Sequence, residues 1–391
     1  MALDSAPQNI VLAGGGLAAQ RCAETLRRAG YTGAIQMVCA EPHAPYDRPP
    51  LSKELLVGTR DEPSLALRPA EWYAGHDVEL LLGVGAAGLR PAEHTLVLAD
   101  GTELRYDRLL IATGSRARHL PALAGKRNVS VLRTVKDGLE LRDALAHAER
   151  LAVIGAGFIG QEVAATARLR GCTVTMVEAA PQPLAAILGG HVGAWFAQLH
   201  RAEGVDVLTG RTLRAVSGNG AVTGLELSDG RQVGVDHVVV GVGVDPDARW
   251  LEDTGLTCGA GVPADDCGRT RAEDVFAAGD VAAAFDAESG SWVPGSHWEA
   301  AARQGTRAAR AMLGLDPGAQ ALAGFWSDQY GIRIQYVGRA RPDDTVAIDG
   351  YPEAREFTAT FSRGGRAVAV LLVNRPRGLP AARALIQKGT P

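Results

Sequence analysis

Two glycine-rich turns have the residue types and the spacing that bind phosphate groups. The clearer one runs from Gly155 to Gly160 (GAGFIG), between an apolar strand that begins at Leu151 and a helix with an apolar face. The first glycine of such a turn allows the bend, the second lets a pyrophosphate approach the backbone, and the third lets the helix pack closely. Glu178 ends the next strand, where a carboxylate can accept hydrogen bonds from both ribose hydroxyls. The stretch therefore predicts a dinucleotide site rather than an empty turn.

A second copy of this unit lies near the N-terminus. Its turn contains Gly14 and Gly16, follows the strand NIVLA, and has Ala19 where a third glycine would stand, which such turns tolerate. The carboxylate comes one residue late, because Ala40 occupies the usual position and Glu41 follows it. We expect Glu41 to bind the adenosine ribose. Two such units predict two dinucleotides, or one flavin dinucleotide and one nicotinamide dinucleotide.

The segments that follow the two turns support a duplication. Residues 95–115 and 224–244 share one order: a strand, an Asp-Gly hairpin turn, a strand, and an apolar strand ending in or near glycine. The segment FAAGDVA then places Asp280 after an apolar strand and a glycine. In flavoproteins with two dinucleotides this pattern brings a carboxylate to the ribityl chain of the flavin. We therefore expect the chain to return to its first domain at this point.

The predicted fold class is α/β, with two Rossmann-like dinucleotide-binding domains and a small C-terminal α+β domain. Residues 1–116 and 245–318 should form the first domain, and residues 117–244 the second. After residue 318 the strand–helix pattern gives way to alternating apolar strands, so residues 319–391 should form the third domain. A helix is expected from Trp298 to about Leu313, and a short final helix from about residue 381 to residue 388.

The composition narrows the possible classes of protein. The 391 residues are 46% hydrophobic and 21% charged, as in ordinary globular proteins, and the net charge of −4 implies no nucleic-acid partner. We see no signal peptide and no apolar run that could span a membrane, so we expect a cytoplasmic protein. The five cysteines and nine histidines have neither metal-ligand spacing nor the CxxxxC spacing of a redox disulfide. No metal site is expected.

Four motifs give the chain a specific resemblance to a known family. They are PYDRPPLSK at residues 45–53, VIGAGFIGQEVAA at 153–165, FAAGDVA at 276–282 and FWSDQ at 325–329. With these motifs nearly the whole chain resembles the NADH-dependent ferredoxin reductases of oxygenase and cytochrome P450 systems. The resemblance implies a glutathione-reductase-like fold, non-covalent FAD in the first domain, NADH in the second and a [2Fe–2S] ferredoxin as partner. We expect a monomer or a weak homodimer.

The same resemblance assigns residues to the cofactors. It implies that Lys53 lies beside the N5 edge of the flavin, where an ammonium group can stabilise negative charge. It also implies that Glu162 pairs with Lys53 and contacts the nicotinamide carboxamide, so these two are the candidate catalytic residues. The residues expected to bind FAD or NADH are Gly14, Gly16, Leu17, Ala18, Ala19, Glu41, Arg48, Lys53, Ala86, Thr113, Gly114, Arg133, Gly155, Gly157, Phe158, Ile159, Gly160, Glu162, Glu178, Gly243, Gly279, Asp280, Trp298 and Trp326.

These assignments have plainer alternatives. Lys53 could be an exposed lysine at a helix start, and Glu162 a glutamate that the helix dipole favours in the first turn. Trp298 and Trp326 could be ordinary core residues. The segment after Glu356 contains six cations and no acidic residue, which fits either a solvated surface or a docking face for an acidic partner.

The expected function is that of an NADH:ferredoxin oxidoreductase. FAD would take a hydride from NADH and pass electrons singly to a ferredoxin that feeds a P450 or a ring-hydroxylating oxygenase. Residues 42–53 contain no cysteine, whereas related NADH oxidases and coenzyme A disulfide reductases carry one there. Two alternatives remain open. One is another flavoenzyme of this fold, such as an NADH oxidase or the flavin component of a rubredoxin or nitrite-reductase system. The other is an NADH-responsive binding protein similar to apoptosis-inducing factor.

Overall fold

The computed structural model describes residues 7–295, 297–318, 322 and 324–389. Residues 388 and 389 are described by their backbone alone. The strands are β1 Asn9–Ala13, β2 Ala34–Cys39, β3 Val78–Leu82, β4 Ala86–Arg90, β5 Thr95–Leu98, β6 Glu103–Arg105, β7 Arg108–Ile111, β8 Ser115–Ala117, β9 Val129–Ser130, β10 Arg150–Ile154, β11 Thr173–Glu178, β12 Asp206–Thr209, β13 Leu213–Ser217, β14 Gly224–Leu227, β15 Gln232–Gly234, β16 His237–Val240, β17 Val244–Pro246, β18 Val262–Pro263, β19 Val275–Ala277, β20 Ala282–Asp286, β21 Ser291–Pro294, β22 Gly324–Gln329, β23 Ile332–Gly338, β24 Thr345–Tyr351, β25 Glu356–Arg363 and β26 Arg366–Val373. The α-helices are α1 Leu17–Arg28, α2 Glu54–Val57, α3 Ala70–Gly75, α4 Val135–Leu145, α5 Phe158–Leu169, α6 Ala185–Ala202, α7 Trp298–Met312 and α8 Leu379–Gly389.

The chain packs as two compact units. Unit 1 consists of Met1–Asp47, Pro63–Arg116 and Asp245–Ala321, and unit 2 consists of Arg48–Glu62, Ala117–Val244 and Leu322–Pro391. The chain passes from one unit to the other at residues 47/48, 62/63, 116/117, 244/245 and 321/322. The domain boundaries expected from the sequence are 116/117, 244/245 and 318/319. The segment 48–62 and the C-terminal segment both pack with unit 2.

Unit 1 is built on a parallel sheet with the strand order β19-β7-β1-β2-β3. Strand β1 is buried from Ile10 onward, as expected for an apolar strand in a parallel sheet that is covered on both faces. Helices α1 and α7 share a hydrophobic cluster with this sheet, to which they contribute Leu26 and Met312. Two three-stranded sheets, β4-β5-β6 and β18-β20-β21, complete the unit.

The nucleotide-type part of unit 2 is a second parallel sheet, with the order β12-β11-β10-β16-β9. Helix α5 connects β10 to β11, which gives the predicted strand–turn–helix–strand unit. Helix α4 begins at a capping box: the Thr134 hydroxyl accepts from the Asp137 amide at 3.1 Å, and the Asp137 carboxylate accepts from the Thr134 amide at 2.8 Å. This exchange satisfies two backbone donors at the helix start and fixes where α4 begins.

The C-terminal part of unit 2 is an antiparallel sheet with the order β22-β23-β26-β25-β24, and α8 packs against it. Helix α6 shares a hydrophobic cluster with this sheet, in which Phe196 lies among residues that include Phe325 and Phe357. In β22 alternate side chains are buried. Ser327 and Gln329 therefore face the interior with Phe325, while Trp326 is only half-buried.

The predicted fold class is confirmed, with two parallel sheets of the dinucleotide-binding type and an α+β segment at the C-terminus. The helix predicted from Trp298 to about Leu313 is α7, which ends at Met312. The final helix begins at Leu379, two residues before the predicted start. Among the residues that the structure describes, no helix is both long enough and apolar enough to cross a bilayer.

Candidate functional site

The glycine turn of unit 1 lies between β1 and α1. Gly14 has φ +137°, and a Cβ there would lie 2.1 Å from the carbonyl oxygen of Ala112, so only glycine fits. Gly16 precedes Leu17 at the start of α1, and nothing lies within 4 Å of its Cβ position. Ala19, at the third position of the motif, is fully buried. The turn therefore packs tightly on its inner side and leaves open space at the helix N-terminus, as a pyrophosphate requires.

Several other predicted residues of unit 1 lie next to this turn. Gly279 is close to Ala18, since a Cβ at Gly279 would lie 3.3 Å from the Ala18 Cβ. The following Asp280 accepts a hydrogen bond from Ser115 Oγ at 3.0 Å. Thr113 directly follows Ala112, donates to the Asp247 carbonyl at 2.6 Å, and precedes Gly114, which has φ +77°. These residues meet at the carboxyl ends of β1 and β7, where α/β sheets bind ligands.

The remaining predicted residues of unit 1 lie in other local settings. Glu41 follows the end of β2 and accepts a hydrogen bond from Tyr46 Oη at 2.7 Å. Trp298, the first residue of α7, donates from Nε1 to Asp47 Oδ1 at 2.6 Å. Ala86 begins β4 and packs against a hydrophobic cluster.

The glycine turn of unit 2 has the same construction between β10 and α5. Gly155 has φ +100°, and a Cβ there would lie 2.4 Å from the Gly241 carbonyl oxygen. Gly157 has nothing within 4 Å of its Cβ position. A Cβ at Gly160 would lie 2.2 Å from the Gly155 carbonyl oxygen, so the third glycine allows the close approach of helix and strand. Gly243, with φ +103°, follows the end of β16.

The carboxylate of Glu178 is held at this turn. One oxygen accepts from the Ala156 amide at 2.7 Å, and the other accepts from the Ala180 amide at 2.7 Å. Each carboxylate oxygen retains a lone pair for a second donor. Next to the turn, Phe158 packs edge-to-face on Phe325 with centroids 4.4 Å apart, whereas Ile159 is 42% exposed.

Lys53 and Glu162 form an ion pair within unit 2. The Lys53 ammonium lies 2.9 Å from Glu162 Oε2, and the two side chains are only 13% and 7% exposed. Ser52 Oγ donates to the same oxygen, and Ser327 Oγ donates to Glu162 Oε1 at 2.7 Å. Lys53 precedes helix α2 but is not an exposed lysine. A charged pair with this little exposure is weakly screened by solvent.

Three more predicted residues lie in unit 2. Arg48 donates to the carbonyl oxygen of Arg133 at 2.6 Å. Trp326 is half-buried, and the Arg333 guanidinium lies 5.6 Å from its ring centroid. The structure thus assigns Arg48, Lys53, Arg133 and Trp326 to unit 2, while the glycine turn that the resemblance connects with FAD lies in unit 1.

The polar partners of Glu162 were not among the residues predicted from the sequence. Two of these partners, Ser52 and Ser327, could have been noticed because each lies inside one of the motifs, PYDRPPLSK or FWSDQ. A serine hydroxyl has no role in apolar packing, so its presence there indicates a polar contact. Gln329 also stands out in the sequence, because the inner face of a buried strand seldom contains a polar residue. His200, which lies 3.0 Å from Gln329 Oε1, is one of several scattered histidines and carried no signal.

The five cysteines all lie in the described ranges and are free thiols. Cys22, Cys39 and Cys172 are buried. Burial raises the pKa of Cys22, and it raises the pKa of Cys39 to about 12. Such thiols stay protonated at neutral pH and are poor nucleophiles.

Comparison with known proteins gives full-length matches. The family model described as pyridine nucleotide-disulphide oxidoreductase matches residues 8–305, and a model described as reductase C-terminal matches residues 324–391. The ferredoxin–NAD+ reductase component of an anthranilate 1,2-dioxygenase system from Burkholderia cepacia is 38% identical, over 97% of this chain and 94% of the relative. The ferredoxin reductase subunit of a 5,5'-dehydrodivanillate O-demethylase from Sphingobium sp. is 35% identical, over 97% and 93%.

A solved structure extends the similarity to three dimensions. The reductase in a covalent putidaredoxin reductase–putidaredoxin complex superposes with a TM-score of 0.94 at 33% identity, and the match covers 99% of this chain and 94% of that chain. The two glycine turns, the arrangement of the sheets and these matches agree. The chain belongs to the pyridine nucleotide-disulphide oxidoreductase family, and within it to the ferredoxin reductases.

Proposed function

We propose that this protein is an FAD-dependent NADH:ferredoxin oxidoreductase. The observation that carries the proposal is the presence of one phosphate-binding glycine turn in each unit. In both turns the first glycine has positive φ and a carbonyl oxygen within 2.4 Å of its Cβ position, and the second glycine faces open space. Two dinucleotides in one ferredoxin reductase are the electron donor and the resident cofactor.

FAD is assigned to the turn of unit 1. Gly14 allows the tight turn, Gly16 leaves room for the pyrophosphate at the start of α1, and Gly279, the residue before Asp280, lies close to Ala18 of that helix. Glu41 is the candidate acceptor for the adenosine ribose. When bound, the flavin accepts a hydride and releases electrons one at a time, which joins a two-electron donor to a one-electron acceptor.

NADH is assigned to the turn of unit 2. The open space at Gly157 accommodates the pyrophosphate, and the Glu178 carboxylate, held by two backbone amides, is the acceptor for the adenosine ribose hydroxyls. The exposed side chain of Ile159 supplies apolar surface beside the turn. The residues after Glu178 are Ala179 and Ala180, so no nearby cation in the sequence favours a 2′-phosphate.

Lys53 and Glu162 are the proposed catalytic residues. The ammonium of Lys53 stabilises negative charge at the reacting centre, and the Glu162 carboxylate holds that ammonium in place at 2.9 Å. Neither residue forms a covalent bond in this reaction. This fits a chain whose segment 42–53 has no cysteine nucleophile.

The proposed electron acceptor is a [2Fe–2S] ferredoxin that feeds a P450 or a ring-hydroxylating oxygenase. Support comes from relatives named as reductase components of dioxygenase systems and from the similarity to putidaredoxin reductase in its complex. The cytoplasmic location and the monomer or weak homodimer stay predictions from the sequence.

The acceptor is tested by following where the electrons of NADH go. The FAD-loaded protein is mixed with NADH in air, with and without a [2Fe–2S] ferredoxin, and ferredoxin reduction and hydrogen peroxide are both measured. We expect turnover that depends on the ferredoxin, with peroxide as a minor product. Peroxide as the main product in the presence of ferredoxin would indicate an NADH oxidase. Slow reduction with NADH-dependent dimerisation would indicate a binding protein similar to apoptosis-inducing factor.

A further inference from the structure

A buried chain of hydrogen bonds leads from Glu162 to side chains outside the nucleotide turns. Ser327 Oγ donates to Glu162 Oε1 at 2.7 Å, and Gln329 Nε2 donates to Ser327 Oγ at 3.0 Å. His200 Nε2 lies 3.0 Å from Gln329 Oε1, and Tyr330 Oη lies 2.8 Å from His200 Nδ1. Ser327, Gln329 and His200 are at most 2% exposed, so water does not compete for these bonds.

The direction of each hydrogen bond follows from the backbone of Ala156. Gln161 Nε2 lies 2.9 Å from the Ala156 carbonyl oxygen, which can only accept, so the other end of this amide is an oxygen. That oxygen lies 3.1 Å from His200 Nε2, which must therefore carry a proton. His200 Nε2 then donates to the Gln329 oxygen as well, and Nδ1 accepts from Tyr330. Burial lowers the pKa of His200 to about 4, which agrees with a neutral ring.

All donors in this chain therefore point toward the carboxylate of Glu162. The Gln329 amide nitrogen donates to Ser327, and the Ser327 hydroxyl donates to Oε1, while Lys53 and Ser52 donate to Oε2. Hydrogen bonds aligned in one direction polarise and strengthen one another. The amide of Gln329 does not readily relay a proton, so the chain serves to hold the carboxylate rather than to conduct protons.

The hydrogen-bond chain ends at Tyr330, a residue type that is disfavoured at its backbone position. Tyr330 and Gly331 form the two-residue turn between β22 and β23, with φ +52° and +72°. Asparagine or glycine is usual at the first position of such a turn, because a bulky side chain at positive φ is strained. Tyr330 nevertheless occupies it with its hydroxyl on His200 and its ring 5.2 Å from the imidazole. A bulky residue kept at a turn position that favours asparagine or glycine is typical of a functional constraint.

We propose that Ser327 and Gln329, oriented by His200 and Tyr330, are positioning residues for Glu162. The inference rests on the proposed function, in which Glu162 holds the catalytic Lys53. Because Ser327 engages Oε1, the carboxylate cannot rotate away, and Oε2 stays on the Lys53 ammonium. Without the chain, the carboxylate gains other orientations and Lys53 loses its fixed position.

The first test measures flavin reduction by NADH in anaerobic stopped flow. Ser327→Ala should lower the limiting rate about tenfold and Gln329→Met severalfold less, while the Kd for NADH changes by less than about twofold. Ser130→Ala is the matched control, since Ser130 Oγ forms a similar 2.8 Å hydrogen bond to His237 in the same unit. Ser130→Ala should keep the wild-type rate. Wild-type rates in both Ser327→Ala and Gln329→Met would overturn the proposal.

The second test needs no NADH and so separates this inference from the proposed function. Urea unfolding of the FAD-loaded protein is measured for Ser327→Ala, Glu162→Gln and the double variant. Ser327→Ala should lower the midpoint in the wild type and have a much smaller effect beside Glu162→Gln, because the bond serves the charged carboxylate. If Ser327→Ala lowers the urea midpoint equally with and without Glu162→Gln, the proposal is contradicted. If Ser327→Ala does not fold, Tyr330→Phe, which keeps the ring, is measured in its place with the same two outcomes. A wild-type protein that NADH does not reduce would instead refute the proposed function.

Discussion

At the scale of single residues, Glu178 is the carboxylate proposed to select between NADH and NADPH. Each of its oxygens accepts a hydrogen bond from a backbone amide, one from Ala156 in the glycine turn and the other from Ala180, both at 2.7 Å. The carboxylate is thus fixed where the adenosine ribose is expected. A ribose 2′-hydroxyl can donate to it, whereas a 2′-phosphate would bring like charges together.

This arrangement predicts strong selectivity for NADH over NADPH. A like-charge cost of even ~3 kcal/mol corresponds to about 100-fold in kcat/KM. Glu178→Ala should bring the ratio of the two kcat/KM values much closer to one, mainly by improving NADPH. Glu178→Gln is the matched control, since it removes the charge but keeps the size and one acceptor oxygen, and it should relax selectivity as well. Equal kcat/KM for NADH and NADPH in the wild type would refute this role for Glu178.

The residues of the two glycine turns could be predicted because backbone geometry restricts them so strongly. Gly14 and Gly155 have positive φ and no room for a Cβ. Only glycine fits such positions, so the motif can be recognised in the sequence. The partners of Glu162 could not be predicted in this way. Ser327 lies in β22 and His200 in α6, and Gln329 connects the two only in the folded protein. No spacing in the sequence relates either residue to Glu162.

At the scale of elements, the contact between α1 and α7 depends on a glycine. A Cβ at Gly305 would lie 2.1 Å from the carbonyl oxygen of Ala18, on the helix that begins at the turn of unit 1. A methyl group there must push the helices apart. The sequence predicts α7 from its alanine-rich spacing. The closeness of the two helices depends on tertiary packing, which the sequence pattern of one helix does not reveal.

Gly305→Ala should therefore destabilise unit 1 by about 1–3 kcal/mol, as expected for overpacking a tight contact. Thermal unfolding of the FAD-loaded protein measures this, with a shift in Tm of about 2–4 °C per kcal/mol for a cooperative unit of the size of unit 1. Gly75→Ala in α3 is the control, because nothing lies within 4 Å of its Cβ position and its φ is not positive. An unchanged Tm in Gly305→Ala would show that the two helices are not in close contact.

At the scale of the whole molecule, charge is unevenly distributed along the chain. The net charge is −4, yet residues 324–391 contain ten Lys and Arg against six Asp and Glu. Part of this positive charge is neutralised locally, since Arg375 pairs with Asp349 and Arg363 pairs with Asp344. An acidic ferredoxin would be repelled by the net charge and would need a local positive surface to be attracted.

We predict that the C-terminal segment contributes to such a docking surface. The double reversal Arg375→Glu and Arg377→Glu should raise the KM for ferredoxin about tenfold at low salt and leave the KM for NADH nearly unchanged. Ferredoxin reduction by the wild type should slow as salt rises, because the screening length falls to ~8 Å at physiological ionic strength. Reduction of ferricyanide by NADH needs no docking and should respond less.

The control for this prediction changes the same amount of charge elsewhere in unit 2. Lys136 and Arg142 both lie on α4, outside the C-terminal segment, so their double reversal to Glu should raise the KM for ferredoxin less. If the control variant and the Arg375/Arg377 variant behave alike, only net charge matters. If neither salt nor the Arg375/Arg377 reversal affects ferredoxin turnover, docking takes place on another surface.

In the proposed function, this protein binds FAD in unit 1 and receives electrons from NADH bound in unit 2. Anaerobic titration of the purified protein with NADH, followed by visible absorbance, tests both cofactor assignments in one experiment. We expect a yellow protein that is bleached by about one equivalent of NADH per flavin. A colourless protein that takes up no added FAD, or a bound flavin that NADH does not reduce, would contradict it.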